Sequence, residues 1–173
     1  MNCIAVFDQT ASSNPGKIFG VIQFHQCRPT TKTKITFKLS GCKPSSVFGC
    51  HVHKCGDISK GCESACEHFN PLNTLHGSKI LYGKDRHVGD MMNNLVADEN
   101  GIVNYTYEDD LIDLFPSMFS IIGRAIVLHE KADDLGRYRD DNTRQGKESA
   151  VTGNAGIRIA CAVIGLSLIH ISE

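Results

Sequence analysis

Apolar and β-branched residues in this chain come in short runs that alternate with polar ones. The runs fall at residues 4–7, 18–24, 34–39, 47–53, 102–107, 125–129 and 157–166. Period two points successive side chains to opposite faces of an extended segment, so each run can bury one face as a strand. Asn14-Pro15-Gly16 and Asn100-Gly101 are turn signals between runs. No segment predicts a helix longer than about two turns. Many short strands with Gly and Asn turns predict an all-β sandwich or barrel. A length of 173 residues suits a single domain.

Two stretches break the rhythm. Residues 55–90 are irregular and rich in Gly, Asn, His and charge. Residues 130–156 carry Lys131, Asp133, Asp134, Arg137, Arg139, Asp140, Asp141 and Arg144. Loops of this length are uncommon in compact domains unless they are functional or disordered. A charged fraction of 21% beside 41% hydrophobic residues is the balance of a folded protein. The formal charge of −1 argues against a nucleic-acid partner. No apolar run is long enough to cross a bilayer, so no membrane partner is expected. The first residues, Met1 to Asp8, carry no basic region, apolar stretch or cleavage site, and the expectation is an intracellular, cytoplasmic protein. Thiols stay largely reduced there, so the eight cysteines do not read as four disulfides.

The eight histidines are the sharper signal. Six of them, His51, His53, His68, His76, His87 and His129, lie in or beside the two long segments. His51 and His53 share one face of a strand, with Cys50 and Val52 on the other. Two imidazoles on a rigid strand make half a metal site. His68, His76, His87 and Asp90 follow within one loop. Imidazole suits copper and zinc, and zinc also accepts a carboxylate. Taken singly, each residue reads as a solvated surface side chain. Gathered around two loops on a β scaffold, they are hard to explain that way.

Five blocks in order resemble the copper/zinc superoxide dismutases, most closely the eukaryotic cytosolic branch. They are Gly49-Cys50-His51-Val52-His53, Gly61-Cys62-Glu63-Ser64-Ala65-Cys66-Glu67-His68-Phe69-Asn70-Pro71, Arg86-His87-Val88-Gly89-Asp90, His129-Glu130-Lys131-Ala132-Asp133-Asp134-Leu135-Gly136, and Gly153-Asn154-Ala155-Gly156-Ile157-Arg158-Ile159-Ala160-Cys161. The resemblance implies a Greek-key β-sandwich or flattened barrel, immunoglobulin-like, with 55–90 as zinc and disulfide loop and 130–156 as approach loop. It implies dismutation of superoxide to oxygen and hydrogen peroxide by copper cycling. Copper would be held by His51, His53, His68 and His129. Zinc would be held by His68, His76, His87 and Asp90, with His68 bridging the metals. Asp133 would accept bonds from the free ring nitrogens of His51 and His76. Arg158 would bind the superoxide anion, and His68 would take up a proton. Cys62 and Cys161 would form the intrasubunit disulfide. Closing a loop that long is worth about 4.7 kcal/mol in the chain-entropy model.

The resemblance also implies a homodimer through Ile122, Gly123 and Leu166, and copper loading by a chaperone. Cys55 stands where a bulkier apolar residue is usual near that contact, which leaves a monomer or a Cys55-linked dimer open. Val151 stands where the approach loop commonly has a lysine, and Arg144 or Lys147 is expected to replace part of that charge. Cys3, Cys27, Cys42, Cys50, Cys55 and Cys66 have no assigned partner, and Cys55 and Cys66 flank Cys62 closely enough to mispair with it. His25 and His170 are left as surface residues. The tail 167–173 runs past the usual family end, to extend the last strand or to fray. Two other readings are a copper chaperone on the same fold and an inactive homologue. The chain lacks a chaperone's added N-terminal domain and C-terminal Cys-x-Cys, and it keeps His129 and Arg158, which inactive copies usually lose. Divergent loops around an intact metal core suit a virus-encoded copy acting in a host cell.

Overall fold

The computed structural model describes residues 1–29 and 31–168. Its strands are β1 (Asn2–Phe7), β2 (Phe19–His25), β3 (Thr33–Ser40), β4 (Val47–His53), β5 (Ser59–Cys62), β6 (Asn93–Val96), β7 (Val103–Asp109), β8 (Ala125–His129), β9 (Arg158–Val163) and β10 (Gly165–Leu166). Two helices, α1 (Lys79–Tyr82) and α2 (Arg144–Thr152), lie in the long segments. One sheet has the order β10-β1-β2-β3-β7 and the other β6-β4-β8-β9, with every pairing antiparallel. The result is a two-sheet β-sandwich.

Alternation builds the core. Ile22 and Phe24 on β2 and Ile35, Phe37 and Leu39 on β3 are fully buried, or nearly so. They join one apolar cluster with Phe48 and Cys50 on β4, Leu95 on β6, Ile126 and Leu128 on β8, and Ala160 and Ala162 on β9. Burying a side chain such as Phe37 contributes about 1.5–3 kcal/mol. Strands β4 and β8 differ from the rest, because both their faces are covered. Every residue of β4 except Val47 is buried, as is all of β8. Their inner faces meet the other sheet, and their outer faces lie under the two long segments.

The run at 157–166 is not one strand. It breaks at Ile164, so β9 ends the four-stranded sheet and β10 pairs with β1 in the other. Ile164 donates to the Arg124 carbonyl and accepts from Gly123 at the crossing. Strands β5 and β6 are additional to the predicted set. The expectation of no helix beyond two turns is corrected by α2, whose nine residues make about two and a half. Thr143 caps it by accepting from Gly146 N–H at 3.0 Å, and Gly153 ends it in the left-handed conformation. Its sequence is polar and contains glycine, so it shows little apolar periodicity. Of the tail, residues 169–173, including His170, lie outside the described residues; Ser167 N–H donates to the Asn2 carbonyl beside β1. His25 is half-buried and bonded to Asn2 at 2.6 Å.

Candidate metal centre

Six histidines meet on the outer face of the four-stranded sheet. His51 and His53 project from β4, and His129 ends β8, paired with His51 and His53 through Val127 and Ala125. A register shift between Leu128 and His129 sets His129 opposite Arg158 of β9. Such a bulge re-aims a side chain at a sheet rim. His68 arrives from the first long segment through an isolated antiparallel bridge to His53. Three backbone bonds lock that arrival: Phe69 to the Val52 carbonyl at 2.9 Å, Val52 to Gly89 at 3.0 Å, and Gly89 to Phe69 at 2.9 Å. The chains approach so closely that a Cβ at position 89 would strike the Val52 carbonyl, which is why glycine stands there.

Three of the rings have one nitrogen fixed by the protein. His51 Nε2 donates to Asp133 at 2.5 Å, His53 Nδ1 to the Cys66 carbonyl at 2.8 Å, and His129 Nδ1 to the Gly156 carbonyl at 3.2 Å. Those bonds leave His51 Nδ1, His53 Nε2 and His129 Nε2 as lone-pair atoms. With His68 Nε2, all four are buried and have no hydrogen-bond partner. Orphaned buried nitrogens are rare in native proteins and ask for an explanation. Here the four residues offer atoms within 4.8 Å of one another. This donor set fits copper, for which neutral imidazole is a suitable ligand.

A second group shares His68. His68 Nδ1 lies 2.9 Å from Asp90 Oδ1. His76 Nδ1 and His87 Nδ1 approach Asp90 Oδ2 to 2.9 and 3.2 Å, yet neither makes a hydrogen bond. Three imidazoles and a carboxylate converging this way fit tetrahedral zinc. Asp133 joins the two groups, accepting from His51 and from His76 Nε2, the latter at 3.0 Å.

Charge follows this geometry. Burial, then the neighbouring His51, pushes His68 down to about 3. Burial, then His68, pushes His129 down to about 4 and holds His53 well below the usual value. These rings are neutral at pH 7, with lone pairs free. His76 is the opposite case: burial opposes its charge, but Asp90 and Asp133 outweigh it and raise His76 to about 10. Burial likewise opposes the ionised Asp133, and its bonds from His51 and His76 outweigh that and hold its carboxyl low.

The structure brings together all seven residues expected at the metals and adds several that sequence reasoning missed. Asn94 exchanges two bonds with the Asp133 backbone at 2.8 and 2.9 Å, and Asn93 reaches the Asp133 carboxylate at 3.3 Å. Arg86, fully buried, donates to the Asp90 carbonyl at 2.7 Å and to Asp109 at 2.9 Å. Gly153 (φ +66°) lies so close that a Cβ would strike both Asp133 and His76. None of these carries metal-ligand spacing, although Arg86 stands beside His87 in the sequence.

His53, His68 and His129 open into a cavity of about 670 Å³. Arg158, Lys131, Arg144 and Val151 also line it, whereas Lys147 does not. Arg158 is anchored by donating to the carbonyls of Cys62 at 2.8 Å, Glu63 at 3.4 Å and Cys66 at 2.6 Å. Cys62 and Cys161 are joined by a disulfide. Cys55 and Cys66, expected to lack assigned partners and to threaten Cys62, are joined to each other. They meet because residues 54–55 run antiparallel to 65–67, with Lys54 N–H on Glu67 and Cys55 N–H on Ala65. Cys3 and Cys50 are buried and free, as small core residues.

Among the described residues no helix is long and apolar enough to cross a membrane. The family model of the copper/zinc superoxide dismutases matches residues 18–164. A superoxide dismutase [Cu-Zn] of Paramecium bursaria Chlorella virus 1 is 46% identical over 150 residues, covering 87% of this chain and 74% of the viral protein. The Saccharomyces cerevisiae superoxide dismutase [Cu-Zn] is 40% identical over 150 residues, covering 87% and 91%. A solved structure described as the clock protein EA4 superposes with a TM-score of 0.80 at 41% identity, covering 96% of this chain and 94% of that one. The chain belongs to the copper/zinc superoxide dismutase family.

Proposed function

We propose that His51, His53, His68 and His129 hold copper, that His68, His76, His87 and Asp90 hold zinc, and that Arg158 and His68 act on the substrate. The observation that carries this reading is the set of four orphaned buried ring nitrogens on residues whose ligand atoms lie within 4.8 Å of one another. Copper supplies a one-electron couple and zinc a fixed positive charge without redox chemistry of its own. The overall reaction takes two superoxide anions and two protons to one oxygen and one hydrogen peroxide. Arg158 attracts and orients the anion in the cavity. His68 Nε2 takes up a proton and passes it to the reduced oxygen. Asp133 keeps His51 and His76 in the tautomers that leave their Nδ1 lone pairs free. The test is metal analysis with a dismutation assay. An active protein with about one copper and one zinc per chain is expected; a chain that takes zinc but never copper overturns the reading.

Local positive charge serves the approach. Val151 offers none, and Arg144 lines the cavity where Lys147 does not, so of these two candidates Arg144 supplies the attraction. The rate falls as salt rises, because screening sets in within about 10 Å at 0.1 M. Arg144→Glu lowers the low-salt rate several-fold and flattens its salt dependence; Lys147→Glu does less. A rate indifferent to salt sinks charge guidance.

Zinc competes with the His76 proton. In the metal-free protein His76 is raised to about 10, so its stabilising charge is fully present below the usual histidine value and is lost as pH rises through about 10. Zinc affinity therefore climbs by about tenfold per pH unit between pH 7 and 9 and levels off near 10. A competitive chelator titration at several pH values reads the slope. A flat profile contradicts it.

The whole chain works as one domain, with 55–90 and 130–156 as its functional loops. It assembles as a homodimer through the half-buried Ile122 and the exposed Gly123 and Leu166. With Cys55 bonded to Cys66 within the chain, no Cys55-linked dimer is needed. Sedimentation gives a dimer with or without reductant; a dimer lost in reductant points to a covalent link instead. The ligand residues are at most 5% exposed, which favours copper delivery by a chaperone over capture of free ion. A cytoplasmic location, in a host cell if the chain is virus-encoded like its viral relative, makes the two disulfides an exception to the compartment rule.

A further inference from the structure

Arg158 is gripped by three carbonyls, all within residues 62–66, and that segment is stapled at both ends. Cys62 is bonded to Cys161 on β9, the strand that carries Arg158 itself. Cys66 is bonded to Cys55, which follows β4. Cys55 is in turn fixed to the sheet, its carbonyl accepting from Ala125 N–H at 3.1 Å at the start of β8.

Cys66 has an unusual backbone, with φ +66° and ψ −155°. Residues with a side chain rarely adopt positive φ, and they keep it only where their surroundings enforce it. The consequence is chemical. The Cys66 carbonyl accepts from Arg158 Nη2 at 2.6 Å and from His53 Nδ1 at 2.8 Å. One oxygen thus orients both the anion-binding arginine and a ring at the metal.

We propose that Cys66, tied to Cys55, is a positioning residue. The second disulfide holds the Cys66 carbonyl where it orders the Arg158 guanidinium and the His53 ring, so that anion binding does not depend on Cys62–Cys161 alone. This rests on the reading that Arg158 binds the substrate anion.

The test uses the metal-loaded protein with azide as a small anionic probe. Alkylation of the unreduced, denatured wild type labels four thiols, Cys3, Cys27, Cys42 and Cys50. In Cys55→Ser/Cys66→Ser carrying both metals, the azide concentration for half inhibition rises about three- to tenfold, the worth of one hydrogen bond, and the copper absorption band shifts. Metal-free wild type titrated with dithiothreitol, alkylated, freed of reductant and then loaded with both metals, with differential alkylation reading which pair has opened, loses azide affinity as the 55–66 pair opens, and this arm holds even if the variant fails to fold. Six labelled thiols in the untreated wild type overturn the proposal. So does unchanged azide affinity and spectrum once that pair is removed or opened. Arg158→Ala separates the two ideas: if it too leaves azide inhibition unchanged, the anion-site reading has failed; if it weakens inhibition while opening the 55–66 pair does not, only the positioning role has.

Discussion

A His129→Ala variant loses dismutation to background while keeping its zinc. His129 contributes one of the four orphaned nitrogens and none of the atoms in the Asp90 group. Removing a group that merely supports a ligand typically costs 10–100-fold, so deleting a ligand costs more than about a hundredfold. The fold is expected to survive, because the ring makes only one hydrogen bond, to Gly156, and stands outside the apolar core. Metal analysis and a dismutation assay on the same sample decide the matter. Activity near wild type in this variant would sink the assignment of His129.

Asp133→Ala is expected to weaken both metals at once. Its carboxylate accepts from His51 in one group and His76 in the other. Both rings would lose their orienting partner and keep a buried N–H with nothing to bond, costing about 1–3 kcal/mol each in stability. Copper and zinc affinities should each fall about 10–100-fold. Competition with graded chelators measures them separately. A loss confined to one metal would mean that the shared carboxylate does not couple the two groups. Neighbouring Asp134 is a control of a different kind, because its carboxylate accepts from Ser149 and Asn154 around α2 and not from the ligand rings.

Much of this was legible where physics repeats. Strands β4 and β8 have the bounds that alternation predicts, since each buries a regular face against the other sheet. Six of the seven candidate metal ligands stand in recognisable blocks because their spacing is set by the strand and loop that carry them; His76 lies in none of those blocks. What was not legible depends on contacts between distant segments. Asn93 and Asn94 look like a loop, yet they open β6 and hold Asp133 some 40 residues on. Helix α2 is polar, and only its caps define it. Cys55 and Cys66 could not be paired from spacing alone, because Cys62 stands between them and only the antiparallel run of 54–55 against 65–67 decides the partner.

The bonds that join the centre span long stretches of chain: His51 and Asp133 are 82 residues apart, His76 and Asp133 57, and Cys62 and Cys161 99. The sheets are equally non-local, with β3 pairing β7 across more than 60 residues. Ordering such contacts costs loop entropy before any of them is rewarded, so this topology reaches its native state on the order of milliseconds to seconds rather than microseconds. The six rings can only converge once β4, β8 and β9 are in register and the first long segment has folded against β4. A nascent chain therefore spends its early life as a metal-indifferent β scaffold, and the capacity to hold two ions is among the last properties it acquires.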